Sequence, residues 1–393
     1  MSETTPPRLA FSSNGQSWDN PALLEELHNA ASPSHWAVWS WQSSEPFPSP
    51  LAVEIRVPEE HQHSTATHDV MQGVARQLQG AFRMFCGERG WPEPDIALQR
   101  LAVPDERWSY RVTLPGGPEA EGELRPTKLL AMGEEEQLAG LLGLETVDPI
   151  LGLPARWITR SQLDLARSVE LHLFDAPGLV AAHTLHMVSE SFERTLGMLA
   201  IQRWMLPALA QYGEALTSTL AQRAGMILRT VKSLISEGLW LPGPGRLLDL
   251  FLQSLSEVEG TDPLEAELLK ELMRRELVPE NLPRFLDGAG LLWAVEWKGQ
   301  TEEDSAAQNR LLARLGTALH GLADCDPPPV VLTDFESRAE LSRVLKGPFP
   351  HLPVLSWSEL PPHARVQLMG VVDARFEVDP APWEPAWFEV SYS

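Results

Sequence analysis

The stretch FPHLPVLSWSELPPHARVQLMGVV, residues 349–372, decides how the last third of this chain is read. Two apolar runs, LPVLSW (352–357) and RVQLMGVV (365–372), have the composition of strands, and between them Ser-Trp-Ser-Glu leads into Pro361 and Pro362. An ordinary strand ending needs nothing so particular. Working backwards, LLWAVEW (291–297) reads as a strand and EEDSAAQNRLLARLGTALHGL (302–322) as a helix. PVVLT (329–333) reads as a buried strand and SRAELSRVLKG (337–347) as a second helix. The order β-α-β-α-β-β predicts a compact α/β domain with helices packed on a sheet.

Before it, residues 176 to 280 have helical character. PGLVAAHTLHMVSESFERTLG (177–197) places Pro177 near a helix N-terminus and Gly197 at its end. MLAIQRWMLPALAQYG follows, and then LAQRAGMILRTVKSLISEG carries Ile227, Val231, Leu234 and Ile235 as an apolar stripe that Gly238 closes. RLLDLFLQSLSEV and PLEAELLKELMRREL continue the pattern. Three helices joined by turns suit a winged-helix-like module. Its second helix offers only Arg246 beside Asp249, so a partner-binding or packing module is expected, not a DNA reader.

The N-terminal part is α/β. Val53, Ile55 and Val57 alternate in LAVEIRVP, and Asp69 is placed to cap a helix whose Val70, Val74, Leu78, Phe82 and Phe85 share one face. GERGW stops that helix, DIALQRL and RWSYRVTL supply two further strands, and GELRPTKLLAM adds another apolar run. GPEAEGE and GPGR read as loops. Residues 1–50 form a Ser- and Pro-rich extension with a Trp36, Trp39, Trp41 cluster that either packs on the body or serves as a docking peptide. The Pro- and Trp-rich tail, 376–393, reads as unstructured or docked.

Composition narrows the function. With 393 residues and 43% hydrophobic content the chain can bury several cores. Its net charge of -23 repels phosphate backbones and anionic lipid, so nucleic acid and membrane surfaces are poor partners and proteins with basic patches are good ones. Two cysteines, Cys86 and Cys325, give no disulfide framework, and no run of some 18 apolar residues spans a membrane, so a cytoplasmic protein is expected. His61, His63 and His68 have ligand-like spacing, which raises a metal-dependent hydrolase as the contrasting hypothesis; otherwise they belong to a polar loop before the helix. His183 and His186 share a helix face. Nucleophile-elbow, P-loop, zincin and dinucleotide-binding fingerprints are missing, so neither an enzyme nor a cofactor or metal is expected.

Several stretches taken in order resemble the cytoplasmic domain of the FHIPEP family, the large export-gate proteins of flagellar and virulence type III secretion. PVLSWSELPPHARVQLMGVV is similar to the family's strand, Ser-Tyr-x-Glu-Ile-Pro turn and return strand, with Trp357 in the tyrosine's place. GELRPTKLLAM, TVDPILGLPARWI (146–158), LVAAHTLHMV (179–188) and LISEGLWLPGPGRLLDLFLQSL (234–255) resemble other family segments, although Leu241, Pro242 and Gly243 replace an Ile-Arg-Asp. The resemblance implies an α/β domain (51–126 plus 176–196) with a small inserted domain (127–175), a winged-helix-like domain (197–280) and a C-terminal α/β, ferredoxin-like domain (281–375). It also implies a ring of like subunits that receives secretion chaperone–cargo complexes and meets other export-apparatus proteins at the inner face of the inner membrane. The docking cleft carried over by motif match takes in Asp148, Leu151, Gly152, Leu153, Ala182 and His183. Leu151 falls where the family has an aromatic and Ala182 where it has a threonine. Members carry a multi-helix membrane portion before this domain. The chain is thus expected to be either a separate cytoplasmic half or a soluble paralogue that regulates the gate.

Overall fold

The computed structural model describes residues 10–11, 51–211, 220, 223–255, 263–299, 305–320, 327–349, 352–373 and 386–389. The tryptophan cluster at 36–41 and Cys325 lie outside these. The chain forms two compact units, 1–228 and 229–393.

In the first unit, β2 (Leu51–Pro58) lies between β3 (Ile96–Val103), parallel to it, and β4 (Trp108–Thr113), antiparallel; with β1 (Ala10–Phe11) and β5 (Glu119–Leu124) at the edges they form a five-stranded sheet of order β1-β3-β2-β4-β5. β1 is Ala10–Phe11, paired antiparallel with β3, so the described part of the N-terminal extension is a strand. Val53, Ile55 and Val57 are buried with Val74, Leu78 and Phe82 of α1 (Thr65–Arg89), as their alternation and helical spacing predict. The cap of α1 is not Asp69 but Ser64, whose hydroxyl accepts the Thr67 amide at 3.2 Å. The Thr67 hydroxyl donates to the His61 carbonyl at 2.6 Å, which tightens the preceding turn and lets the helix start a turn earlier than its apolar stripe suggests.

GPEAEGE is no loop: Glu119–Leu124 is strand β5, at the sheet edge. Its charges face water, where Glu121 accepts from Arg56 and Arg111. Gly122 is there because the Tyr110 ring of β4 crosses it, and a Cβ would lie 2.5 Å from Tyr110 Cε1.

A second, four-stranded sheet in this unit has the order β7-β8-β6-β9, from β6 (Lys128–Met132), β7 (Gly143–Val147), β8 (Pro154–Thr159) and β9 (His172–Phe174), all antiparallel. One face is sealed by α2 (Glu135–Leu138) and α3 (Leu163–Ser168) over Leu129, Ala131 and Ile158. Helix α4 (Ala176–Ser189) ends eight residues before Gly197. The Ser189 hydroxyl bonds back to the His186 carbonyl at 2.7 Å, and a 3-10 turn then carries Phe192 into the core. Gly197 instead precedes α5 (Met198–Leu209).

Helix α6 (Ala224–Ser236), most of which belongs to the second unit, ends at Gly238, whose φ of 75° lets the Leu239 amide reach the Leu234 carbonyl at 3.2 Å. α7 (Pro244–Leu255) opens within the supposed GPGR loop, with proline at its start, and α8 (Pro263–Asn281) follows. The last sheet contains β10 (Leu291–Lys298), β11 (Val330–Thr333), β12 (Val354–Ser356), β13 (Arg365–Asp373) and β14 (Ala386–Glu389) in the order β12-β11-β10-β13-β14. β10 to β13 are mutually parallel and β14 is antiparallel to β13, so the tail contributes a strand. The ferredoxin-like expectation is therefore corrected. α9 (Ser305–His320) and α10 (Phe335–Leu345) return the chain between parallel neighbours, and residues 357–364 carry it from one edge past β11 and β10 instead of folding a hairpin.

That crossing is what the opening stretch holds. Residues Trp357–Glu359 form a 3-10 turn, and the Glu359 carboxylate accepts the Ser356 amide at 2.8 Å. The same carboxylate meets Arg274 of α8, with Nε to Oε1 at 2.6 Å and Nη2 to Oε2 at 3.2 Å. Around it Glu237 takes Arg274 Nη1 at 2.5 Å, Arg338 Nη1 at 2.8 Å and Lys270 Nζ at 3.0 Å, and Arg338 also donates to Glu271. Burial by itself would raise the Glu237 pKa, but the fields of Arg274, Arg338 and Lys270 outweigh it and bring it down to about 2. Three cations and three carboxylates thus compensate one another between the C-terminal ends of α6 and the flank of α8 and the last sheet.

Candidate functional site

Hairpin β7–β8 closes through Asp148–Leu153, and the sequence DPILGL explains its shape. The Asp148 carboxylate, almost fully buried, accepts the amides of Ile150 at 2.9 Å and Leu151 at 2.8 Å. Its own amide bonds the Leu153 carbonyl at 2.9 Å, and its carbonyl accepts from Gly152 at 3.0 Å. Aspartate favours such turns because its short side chain can bond backbone amides two and three residues on. Gly152 has φ of 72°, where a side chain would be strained. The carboxylate is thus spent on bracing the turn.

Bracing pushes apolar side chains outward. Leu151 is 60% exposed, Leu153 42% and Val147 63%. On the same edge Leu144 is 47% exposed and Leu142 82%. Exposed apolar side chains on a fixed backbone are a kind of surface that proteins use to meet partners.

Behind the turn lies a buried polar pair. The Tyr110 hydroxyl and His183 Nδ1 of α4 are 2.7 Å apart with the rings nearly perpendicular. Burial raises the tyrosine pKa, and the Asp148 charge adds to the rise. Burial lowers that of His183, His186 lowers it further, and Asp148 opposes both. Asp148 thus acts electrostatically on the pair although its hydrogen bonds go to its own turn.

Of the residues singled out by motif, Asp148, Leu151, Gly152 and Leu153 come together in one turn. His183 sits inside, held by Tyr110, and Ala182 is half-buried beside it on α4. Tyr110 escaped the sequence reading, since a tyrosine within a strand run looks like ordinary β composition. His61, His63 and His68 are exposed and do not share a ligand geometry: His61 lies 3.4 Å from Glu60, while His68 bonds Gln72 at 2.9 Å. Among the described residues no three His, Cys, Asp or Glu side chains are grouped to hold an ion. No described helix is long and apolar enough to cross a membrane.

The geometry defines a multi-sheet α/β chain with a braced apolar turn at one sheet edge, and comparison gives it a family. The FHIPEP family model matches residues 49–365, and the chain belongs to that family. Flagellar biosynthesis protein FlhA of Escherichia coli (strain K12) is 27% identical over 307 residues, 75% of this chain and 44% of that protein. FlhA of Bacillus subtilis (strain 168) is 25% identical over 299 residues, 71% of this chain and 42% of that protein. The chain therefore spans less than half the length of these relatives. The fold is shared with solved structures. The Chlamydia pneumoniae CdsV and CdsO protein complex superposes with a TM-score of 0.58 at 18% identity, over 84% of this chain and 99% of that one. The nonameric EscV cytosolic domain from the type III secretion system gives 0.51 at 16% identity, over 85% and 100%.

Proposed function

We propose that the chain is a non-enzymatic component of a type III protein-export apparatus that docks chaperone–cargo complexes on the Asp148–Leu153 turn, with Ala182 and His183 as the floor beside it. The observation that carries the reading is the braced turn itself: a buried carboxylate is committed to holding Leu151 and Leu153 outward. A leucine at 151 keeps apolar contact and offers less area than a ring, so the docked surface is aliphatic. Since the EscV domain is nonameric and CdsV is solved with CdsO, self-association into a ring and binding of further apparatus proteins are proposed here as well. The division into a first α/β domain with an insertion, a winged-helix-like module and a last α/β domain belongs to the same reading, as does a place at the cytoplasmic face of the inner membrane.

The test is binding of a purified secretion chaperone–cargo complex to the full chain and to Leu151→Asp, with light scattering of the chain alone over a wide concentration range. Loss of binding with the variant supports the docking turn; equal binding rejects it. A closed large oligomer supports the ring, whereas a monomer at all concentrations favours the soluble regulator.

A further inference from the structure

Among the described residues β7 ends its sheet, and it has features that a solvent-facing sheet edge ordinarily avoids. Natural edge strands are blunted by lysine, proline or a bulge, because unpaired amides and carbonyls template the addition of another strand. β7 reads GLETV: it carries no lysine, proline or bulge, and its blunting is limited to a single exposed carboxylate. Its one charge, Glu145, is engaged by Arg156 at 2.6 Å, and Arg156 also donates to the carbonyls of Leu138 and Leu141.

Both ends of the strand are fixed. At its start the Gln162 side-chain amide clasps Leu142, accepting its N–H at 2.7 Å and donating to its carbonyl at 2.5 Å, while the leucine side chain stays exposed. At its finish the Asp148 carboxylate accepts the Leu151 N–H at 2.8 Å, and that side chain too stays exposed. A strand held in register at both ends loses little conformational freedom when a partner pairs with it.

We infer that the β7 edge accepts an extended peptide segment of a partner protein by strand addition, the segment alternating apolar and basic residues. The alternation follows from the period of two: Leu142 and Leu144 lie on one face, Glu145 on the other. The basic character follows from charge. Glu134, Glu135 and Glu136 are exposed on the same small domain and Arg156 is already engaged, within a chain of net charge -23. This rests on the docking reading above and assigns its recognition mode.

The probe is an acetylated and amidated decapeptide alternating valine with lysine, offered to the full chain beside a block peptide of identical composition and two twins N-methylated at the valines or at the lysines. Amides along a strand point alternately to its two sides. Strand addition thus predicts that one twin binds like the parent and the other fails, that the parent slows hydrogen exchange at residues 143–147, and that Leu144→Lys weakens it about tenfold through like-charge contact. Equal binding of both twins, equal binding of the block peptide, or no added protection at 143–147 overturns it. So does protection of 143–147 that grows with protein concentration without peptide, which would give the edge to a second copy of the chain. A chaperone–cargo complex that binds and is lost with Leu151→Asp but leaves 143–147 unprotected removes strand addition and keeps the docking turn. Peptide-specific protection without any chaperone binding does the reverse.

Discussion

Arg274 and Glu359 form a two-pronged ion pair with both side chains shut away from water, joining helix α8 to the turn that leaves β12. Such a pair, once formed, is hard to break from one side. The desolvation of the remaining charge is then no longer offset, whereas an apolar replacement of the whole set can be neutral. The pair also borrows Glu237 and Arg338, so the charge balance is collective.

Glu359→Gln keeps the shape and removes one negative charge from that balance. The expected cost is about 3–5 kcal/mol, the range for orphaning a buried ion. In urea denaturation of the full chain the transition of the 229–393 unit should move to lower denaturant while that of the 1–228 unit stays in place. An unchanged profile would show that the buried pair adds nothing.

Acid should act on the same cluster. Glu237 titrates at about 2 in the folded chain against an ordinary 4.5, so the unfolded chain binds its proton first on acidification. Its stabilisation is complete above pH 4.5 and is lost as pH falls from 4.5 towards 2, on the order of 3 kcal/mol by proton linkage. Lys270, whose pKa burial lowers but Glu237, Glu267 and Glu271 together raise above its usual value, contributes stability that is complete below 10.5 and is lost as pH rises from there through its folded pKa. Stability measured against pH should fall between 4.5 and 2, less steeply in Glu237→Gln; parallel curves would remove Glu237 as the cause.

Where the sequence carried period and punctuation, it was legible. Val53, Ile55 and Val57 alternate into the core, Gly238 ends its helix, and the β-α-β-α-β-β order of the last third is found as read. Strand order is a different matter: nothing in residues 349–372 says that β12 and β13 are separated by two strands, because sheet neighbours are chosen by packing and not by local pattern. β5 was hidden by its own chemistry, since EAEGEL has a polar edge and a glycine required only by the Tyr110 ring. Nothing in PLEAELLKELMRREL marks Lys270 and Arg274 as buried, because their burial depends on Glu237, Arg338 and Glu359 arriving from distant positions. In the candidate site the turn was legible through Asp148 and Gly152, whereas the Tyr110–His183 pair behind it and the Gln162 clasp on Leu142 at the other end of β7 were not.

Tyr110→Phe separates hydrogen bonding from packing behind the turn. The ring is kept and the 2.7 Å contact with His183 is lost, leaving a buried ring nitrogen without its hydroxyl partner at a cost of about 1–3 kcal/mol. Gly122→Val instead forces the ring itself to move, since a Cβ meets Tyr110 Cε1 at 2.5 Å, and overpacking of this kind costs roughly 1–3 kcal/mol. Thermal unfolding should register both. A Gly122→Val protein as stable as the parent would show that β5 yields freely.

Asp148→Ala and Leu151→Asp test the turn from its two sides. The first removes the acceptor of the Ile150 and Leu151 amides at 2.9 and 2.8 Å while leaving the exposed leucines in the chain. Hydrogen exchange at those two amides should then accelerate at least tenfold, the equivalent of about 1.4 kcal/mol of lost local protection. The second leaves the brace intact and replaces the exposed apolar group, so exchange at residue 150 should stay near that of the parent. If bracing exists to present Leu151, both variants weaken chaperone–cargo binding, and they do so for different reasons: Asp148→Ala by raising the entropy of the free turn, Leu151→Asp by removing apolar contact. Binding lost only in Leu151→Asp would mean that a loose turn docks as well as a braced one, and the buried carboxylate would then serve only the stability of the hairpin.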